Sequence, residues 1–268
     1  MEGMAGYSFI VIERPADLGE AELFSRFRLL AELGYGGAEL NLTPLDPRFV
    51  DRIERALSDH GLVVPSFLTG EAYAEGLCLC SPDAAIRKAT VDRLVGYLPI
   101  VRRFGAAMVV GLLQGKNSDE PDTRVAVARI EEGLKRVADA AGAAGVDVVV
   151  EPVNHLQVGF HHSVAEVLAL ISRVGSQALR PMVDTLHMNI EEASLTEPIR
   201  ACGAALRHVH LCESHGGTFG TGRVDFAAVL KTLREVGYRG WCSVKAYRAP
   251  GFAAAARTSI EYLRNVSA

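Results

Sequence analysis

Residues 148–151 read Val-Val-Val-Glu, and a proline follows at position 152. Three consecutive β-branched apolar residues suit a strand covered on both faces. Strands of that kind belong to parallel sheets with helices packed outside. A carboxylate on the last residue of such a strand stands at the C-terminal edge of the sheet. That edge is where α/β barrels and doubly wound sheets place their chemistry. One such glutamate is equally well an ordinary strand end turned to solvent, but the pattern recurs along this chain.

Tyr7–Ile12 reads as a first strand. In Glu20–Leu33 the residues Leu23, Phe27, Leu30 and Ala31 recur at helical spacing, and Gly34 closes the helix. Gly37–Leu42 is a second strand carrying Glu39, Pro47–His60 a helix, and Leu62–Leu68 a third strand. Thr69–Pro82 is a long connection, the first place where a lid would form. The helix Ala84–Phe104, with a kink expected at Pro99, precedes the strand Ala107–Gly111, and the helix Thr123–Ala141 leads into the strand that runs from Val146 to Glu151. Ser163 and Glu166 have capping-box spacing for the next helix. Strands then follow at Leu179–Asp184, Leu206–Leu211 and Gly240–Lys245, with helices at Asp225–Val236 and Phe252–Val266. Strand and helix alternate eight times, with short turns before the strands and long connections after them. The expected fold class is α/β, a (β/α)8 TIM barrel, and residues 1–268 are read as one domain.

Composition narrows the classes of function. Hydrophobic residues make up 49% and charged residues 22%, which is ordinary for a globular chain. A net charge of -4 gives no basic footprint, so no nucleic-acid partner is expected. The N-terminal run MEGMAGYSFIVIERP has no basic stretch followed by a long apolar core, and no segment approaches the ~20 apolar residues of a membrane span. Five scattered cysteines (Cys78, Cys80, Cys202, Cys212 and Cys242) fit a reduced, cytoplasmic protein and read as packing residues, with Cys212 the one near the site.

Four strands of the second half end in residues able to do chemistry: Glu151, Asp184, His210 and Lys245. Two carboxylates and an imidazole converging from neighbouring strands suit a divalent metal, and an oxygen-rich set of this kind accepts Mn²⁺, Mg²⁺ or Co²⁺, with Zn²⁺ a further option. His187 and Glu213 lie three residues beyond Asp184 and His210, in loops where contacts to the metal's ligands or to substrate are made. His208 points to the same side as His210 and is a candidate partner for it. Glu39, if inside the barrel, needs a partner such as Lys245 or a histidine. His155, His161 and His162 read mainly as solvent-facing loop residues. Gly220–Thr221–Gly222 has the look of a phosphate cradle.

The segments VEPVNH, VDTLHMNIEE, HVHLCES, GTGRVDF and GYRGW together resemble the sugar-phosphate isomerase/epimerase group of the xylose isomerase-like TIM barrels. Within that group the pattern is most similar to ketose 3-epimerases of the tagatose and psicose type. The resemblance implies that Glu151, Asp184 and His210 ligate a divalent metal and that Glu151 doubles as acid/base. It implies that His187 contacts substrate oxygens, with Asn154, Gln157, Glu213, Arg223 and Lys245 around the substrate. The chemistry implied is proton removal beside a metal-polarised carbonyl, giving an enediolate. A small-molecule sugar or sugar acid is the implied partner, and a homo-oligomer the implied assembly.

The chain departs from that family at three places. A fourth acidic ligand is expected at the end of the eighth strand, where Lys245 stands instead. The arginine expected after the histidine strand falls near Gly216, and Gln157 replaces an expected glutamate. An anion about 4 Å from the added charge gains roughly 4 kcal/mol at an effective dielectric near 20. Lys245 is therefore read as catalytic and as a contact for a substrate carboxylate or phosphate. Pairing with Glu213 or Glu39, or a nucleophilic role, are its alternatives. With one base missing, two chemistries remain: single-base isomerisation, and decarboxylation by a lyase of a 3-oxo sugar acid. A three-zinc apurinic endonuclease on the same barrel would need more histidines than the first half supplies, where only His60 occurs. A binding protein without catalysis would hold no metal.

Overall fold

The computed structural model describes residues 4–267. Eight parallel strands close into a barrel in sequence order: β1 Gly6–Val11, β2 Gly37–Asn41, β3 Ser66–Leu68, β4 Ala107–Val110, β5 Val148–Val150, β6 Leu179–Asp184, β7 His208–Cys212 and β8 Trp241–Lys245. Closure is made by β1 against β8, with Ser8 opposite Ser243. The apolar faces of the surrounding helices pack on the outward-facing strand residues, as Phe27, Leu30, Ile130, Leu134 and Phe226 do. None of the helices is long and apolar enough to cross a membrane, among the described residues.

Helix ends follow their local chemistry. Asp46, Asp83 and Asp122 cap the N-termini of the helices Pro47–Asp59, Ala84–Arg103 and Thr123–Ala144 with side-chain oxygens. Ser163 and Glu166 form the reciprocal capping box at Val164–Val174. The helix expected to stop at Ala141 runs to Ala144, because Gly145 takes up the left-handed conformation (φ 68°) that ends it. The helix Ala84–Arg103 continues through Pro99. β3 is shorter than its apolar run suggested: Pro65 has no N–H for a ladder, so regular pairing starts at Ser66 and Val63 contributes only an isolated bridge to Gly37.

The barrel interior is divided. On one side Ala107, Val109, Val149 and Met182 form a small apolar cluster, with Leu68 against it. On the other side the filling is polar: Ser8 Oγ lies 2.6 Å from Ser243 Oγ, and His208 Nε2 is within 3.2 Å of Ser243 Oγ and 3.1 Å of Ser66 Oγ. Buried polar groups are tolerable when they satisfy one another in this way. The polar side lies directly beneath the strand ends that carry Asp184, His210 and Lys245.

The capping box holds the helix that follows the β5 loop. Ser163→Ala is expected to lower unfolding free energy by about 1 kcal/mol, read as a lower urea midpoint with an unchanged m-value; an unaltered midpoint would show that the box contributes nothing.

Candidate metal centre

Parallel register brings the site together. Asp184 is paired directly with His210 across β6 and β7, and His210 with Ser243 across β7 and β8, so Lys245 projects one layer above the imidazole. Glu151 follows β5 at once, held by its backbone N–H donating to Val110 O at 3.0 Å. Gln114 reaches the Glu151 carbonyl from the β4 loop at 3.3 Å, and His161 Nδ1 lies 2.8 Å from Gln114 Oε1. His161 itself sits at φ 53°, a left-handed conformation uncommon for a residue with a side chain.

Each carboxylate divides its two oxygens. Asp184 Oδ1 caps the helix Thr185–Glu191 through the N–H groups of Leu186 and His187. Its Oδ2 turns inward, 2.9 Å from Lys245 Nζ and 3.6 Å from His210 Nδ1. Glu151 Oε1 lies 3.1 Å from His210 Nδ1, 3.6 Å from Lys245 Nζ and 3.7 Å from His187 Nε2. Glu151 Oε2 faces Gly111, where a Cβ would come within 2.7 Å of it. That residue is therefore small because the catalytic-edge carboxylate needs the space.

Glu39 supplies the floor. Its Oε1 and Oε2 lie 3.0 Å from His210 Nε2 and His208 Nε2 respectively. Burial would raise the Glu39 carboxyl, but His210 and His208 hold it well below the usual carboxylate range. Burial would likewise raise Glu151, yet Lys245, His210 and His187 bring it to about 2. Asp184 is held low against its burial, chiefly by Lys245 and then by His187. Lys245 in turn stays protonated despite burial because Asp184 and Glu151 face it. Desolvation pushes His208 and His187 down, towards the neutral imidazole.

Donor chemistry fits a divalent cation. Glu151, Asp184 and His210 each offer one ligand atom, all within 4.8 Å of one another. Bonding of His210 Nε2 to Glu39 leaves Nδ1 as the nitrogen that could ligate a metal, as when a second carboxylate fixes a metal-bound histidine. The charge count agrees. Three buried carboxylates (Glu39, Glu151 and Asp184) face one ammonium, and two uncompensated negative charges are what a dication cancels once His210 is neutral for ligation. Glu39 adds a third carboxylate to Glu151 and Asp184, so with a dication bound and the histidines neutral Lys245 would complete neutrality and leave no excess positive charge.

A cavity of about 310 Å³ opens above these groups, lined by Thr69, Gly111, Glu151, Gln157, His187 and Lys245 among others. Of the residues expected around a substrate, His187, Gln157 and Lys245 therefore face it. Asn154 stands behind: its Nδ2 is 2.7 Å from His187 Nδ1, so it orients that ring with Nε2 towards the acids. Two expectations change. Glu213 does not reach the cavity; its Oε1 accepts the N–H groups of Ser214 (2.8 Å) and Val224 (3.1 Å), and its Oε2 that of Gly220 (3.1 Å). The amides that looked like a phosphate cradle thus bind a carboxylate of the chain itself. Arg223 lies exposed on the same loop, away from the cavity lining, with its backbone bonded to Ser214 Oγ. Lys245 pairs with Asp184 and Glu151, not with Glu213 or Glu39.

The other loop histidines have local partners. His155 Nδ1 lies 2.5 Å from Glu191 Oε1, and His162 Nε2 3.2 Å from Val158 O. Thr69 and Glu71, in the connection singled out as a lid, line one wall of the cavity. All five cysteines are free and buried. Sequence reasoning missed Gln114 and Gly111: a glutamine in a 3-10 turn and a glycine at a strand end carry no motif that would mark them.

Known proteins share this architecture. The profile of the xylose isomerase-like TIM barrels matches residues 27–266. A ketose 3-epimerase of Arthrobacter globiformis is 33% identical over 213 residues, covering 78% of this chain and 72% of the relative. An L-ribulose 3-epimerase of Mesorhizobium japonicum is 34% identical over 220 residues, covering 79% and 72%. A solved structure of an L-ribulose 3-epimerase superposes with a TM-score of 0.83 at 27% identity, over 98% of this chain and 96% of the other.

Removal of the Glu213 carboxylate tests its role as a loop organiser. In Glu213→Ala the amides of Gly220 and Val224 are expected to lose hydrogen-exchange protection. Retained protection accompanied by a raised KM would instead make Glu213 the substrate contact that its sequence position suggested.

Proposed function

Given that this chain belongs to the xylose isomerase-like TIM-barrel family and is an enzyme of the sugar isomerase/epimerase type, we propose that it moves a proton on a small keto-sugar or sugar acid through a single general base, Glu151. The observation that carries this reading is the split of the Glu151 carboxylate. Oε1 is turned to His210 and Lys245, while Oε2 stands beside Gly111 at the cavity wall. One oxygen is thereby available for metal ligation and the other for a proton on the carbon beside a carbonyl. Glu151, Asp184 and His210 would hold the metal, with Mn²⁺ the first ion to test and Mg²⁺ or Co²⁺ next. A divalent cation there supplies stabilisation of the negative charge that grows on the sugar oxygens as the proton leaves.

The residues of the chain divide the remaining work. Glu151 takes the proton from the carbon beside the carbonyl, leaving an enediolate, and returns it to the former carbonyl carbon, while the hydroxyl proton passes from one enediolate oxygen to the other so that the carbonyl moves by one carbon. His187, fixed by Asn154, presents Nε2 to a substrate oxygen, and Gln157 borders the outer part of the cavity. Lys245 meets a carboxylate or phosphate where the substrate has one. A two-sided epimerisation would need an acid and a base on opposite faces of the sugar. Lys245 stands at the end of β8 where a second acidic group would be needed, and the single-base route follows from that replacement. The relatives carry epimerase names and lend no support to the decarboxylase alternative. Five buried, unpaired cysteines support a cytoplasmic location.

The test is turnover of a panel of ketoses and their phosphates and acids by enzyme stripped with chelator and reloaded with Mn²⁺, in D2O. Aldose–ketose interconversion with metal-dependent rate is expected. Glu151→Gln should lower kcat by about 10²–10⁴-fold with the circular dichroism unchanged. Full activity in that variant, or release of CO2 from a sugar acid, would refute the assignment.

A further inference from the structure

Lys245 and the imidazole of His210 converge on the same two atoms. Nζ of Lys245 is 2.9 Å from Asp184 Oδ2 and 3.6 Å from Glu151 Oε1. His210 Nδ1 is 3.6 Å and 3.1 Å from those same oxygens. They are also the oxygens left to a metal, since Asp184 Oδ1 is taken up by the helix cap and Glu151 Oε2 faces Gly111. A compact ammonium on a four-carbon stem is thus bonded where a metal would find its ligands.

Two positive centres drawn to one pair of oxygens compete for them. Of the two, the ammonium is the one free to leave. Its side chain is 18% exposed and lines the cavity, whereas His210 is fully buried and bonded to Glu39 through Nε2.

We propose that Lys245 is a tethered cation that exchanges with the metal: it holds Glu151 and Asp184 together while no metal is bound, and swings into the cavity when one binds. The two states differ in what the cavity offers a substrate. In the first the ammonium is engaged by the two acids; in the second it is presented to the ligand, which makes recognition of an acidic group conditional on metal loading. The inference rests on Glu151, Asp184 and His210 being the metal ligands, as proposed above, and on nothing about the sugar that is turned over.

The exchange predicts how metal affinity responds to loss of the ammonium. Mn²⁺ binding is measured by calorimetry, and melting temperature with and without Mn²⁺, for the full-length wild type, Lys245→Met and Lys245→Arg. Lys245→Met should bind Mn²⁺ at least about tenfold more tightly than wild type, because no resident cation must be displaced. Its metal-free form should melt lower than metal-free wild type, and the Mn²⁺-induced rise in melting temperature should be larger. Lys245→Arg keeps a cation and should stay near the wild-type affinity. Lys245→Gln substitutes for the methionine variant if that one does not fold. Equal or weaker Mn²⁺ binding by the uncharged variant would overturn the exchange while leaving the metal centre in place. Failure of the wild type and every variant to bind Mn²⁺, Mg²⁺ or Co²⁺ would remove the ligand assignment and the exchange with it.

Discussion

Three carboxylates are buried at one end of this barrel, and the groups around them supply positive charge or hydrogen bonds. Glu39 is fully buried, Asp184 equally so, and Glu151 nearly so. An unpaired carboxylate in such surroundings is too costly to keep ionised. Lys245, His210 and the hydrogen-bonded His208 meet part of that demand within the chain. Removal of one member of a buried pair costs roughly 3–5 kcal/mol in comparable cases. A divalent cation would complete the compensation, so the same charges that would destabilise an empty cluster suit it to receive a metal.

Barrel geometry turns this demand into a defined site. Parallel pairing sets Asp184 beside His210, and the closing pair of strands brings Ser8 and Ser243 under His208. The polar half of the interior supports the floor of the site with hydrogen bonds, while the apolar half formed by Ala107, Val109, Val149 and Met182 gives the barrel packing that needs no partner. Cleft and charge therefore sit at the same end for separate reasons. The cleft arises because the strand-to-helix connections are long, and the charge because four consecutive strands carry an ionisable residue at or beside their C-terminal ends. The proton transfer proposed for Glu151 would use the carboxylate oxygen that faces Gly111, away from the cations.

Much of this was legible in the chain itself. Alternation of β-branched runs with helical stripes specified the barrel, and β6 begins and ends at the residues its pattern indicates, Leu179 and Asp184. Position at or near the C-terminal ends of the strands, together with the family resemblance, singled out Glu151, Asp184, His210 and Lys245, because that edge of a barrel is where such folds place their sites. Pairings across the barrel were not legible. Glu39 lies 169 residues before His208 in the chain, and nothing in its own strand says which of several cations it meets. Loop geometry was hidden for another reason. The glycines of the 220–222 turn do direct amides inward, as an anion cradle would, but the anion is Glu213 of the same loop. Sequence spacing records the conformation of a turn without recording what fills it. Gly111 shows the converse: its meaning is an absent side chain next to Glu151, visible only once both are in place.

The account stands on a shared cation between the acids of β5 and β6 and the imidazole of β7. Crystals grown with Mn²⁺ and measured on both sides of the manganese absorption edge address it most directly. The account predicts an anomalous peak in contact with Glu151, Asp184 and His210 Nδ1, with the Lys245 side chain withdrawn from Asp184. A peak bound elsewhere, or no peak with Lys245 still hydrogen-bonded to Asp184, would contradict it.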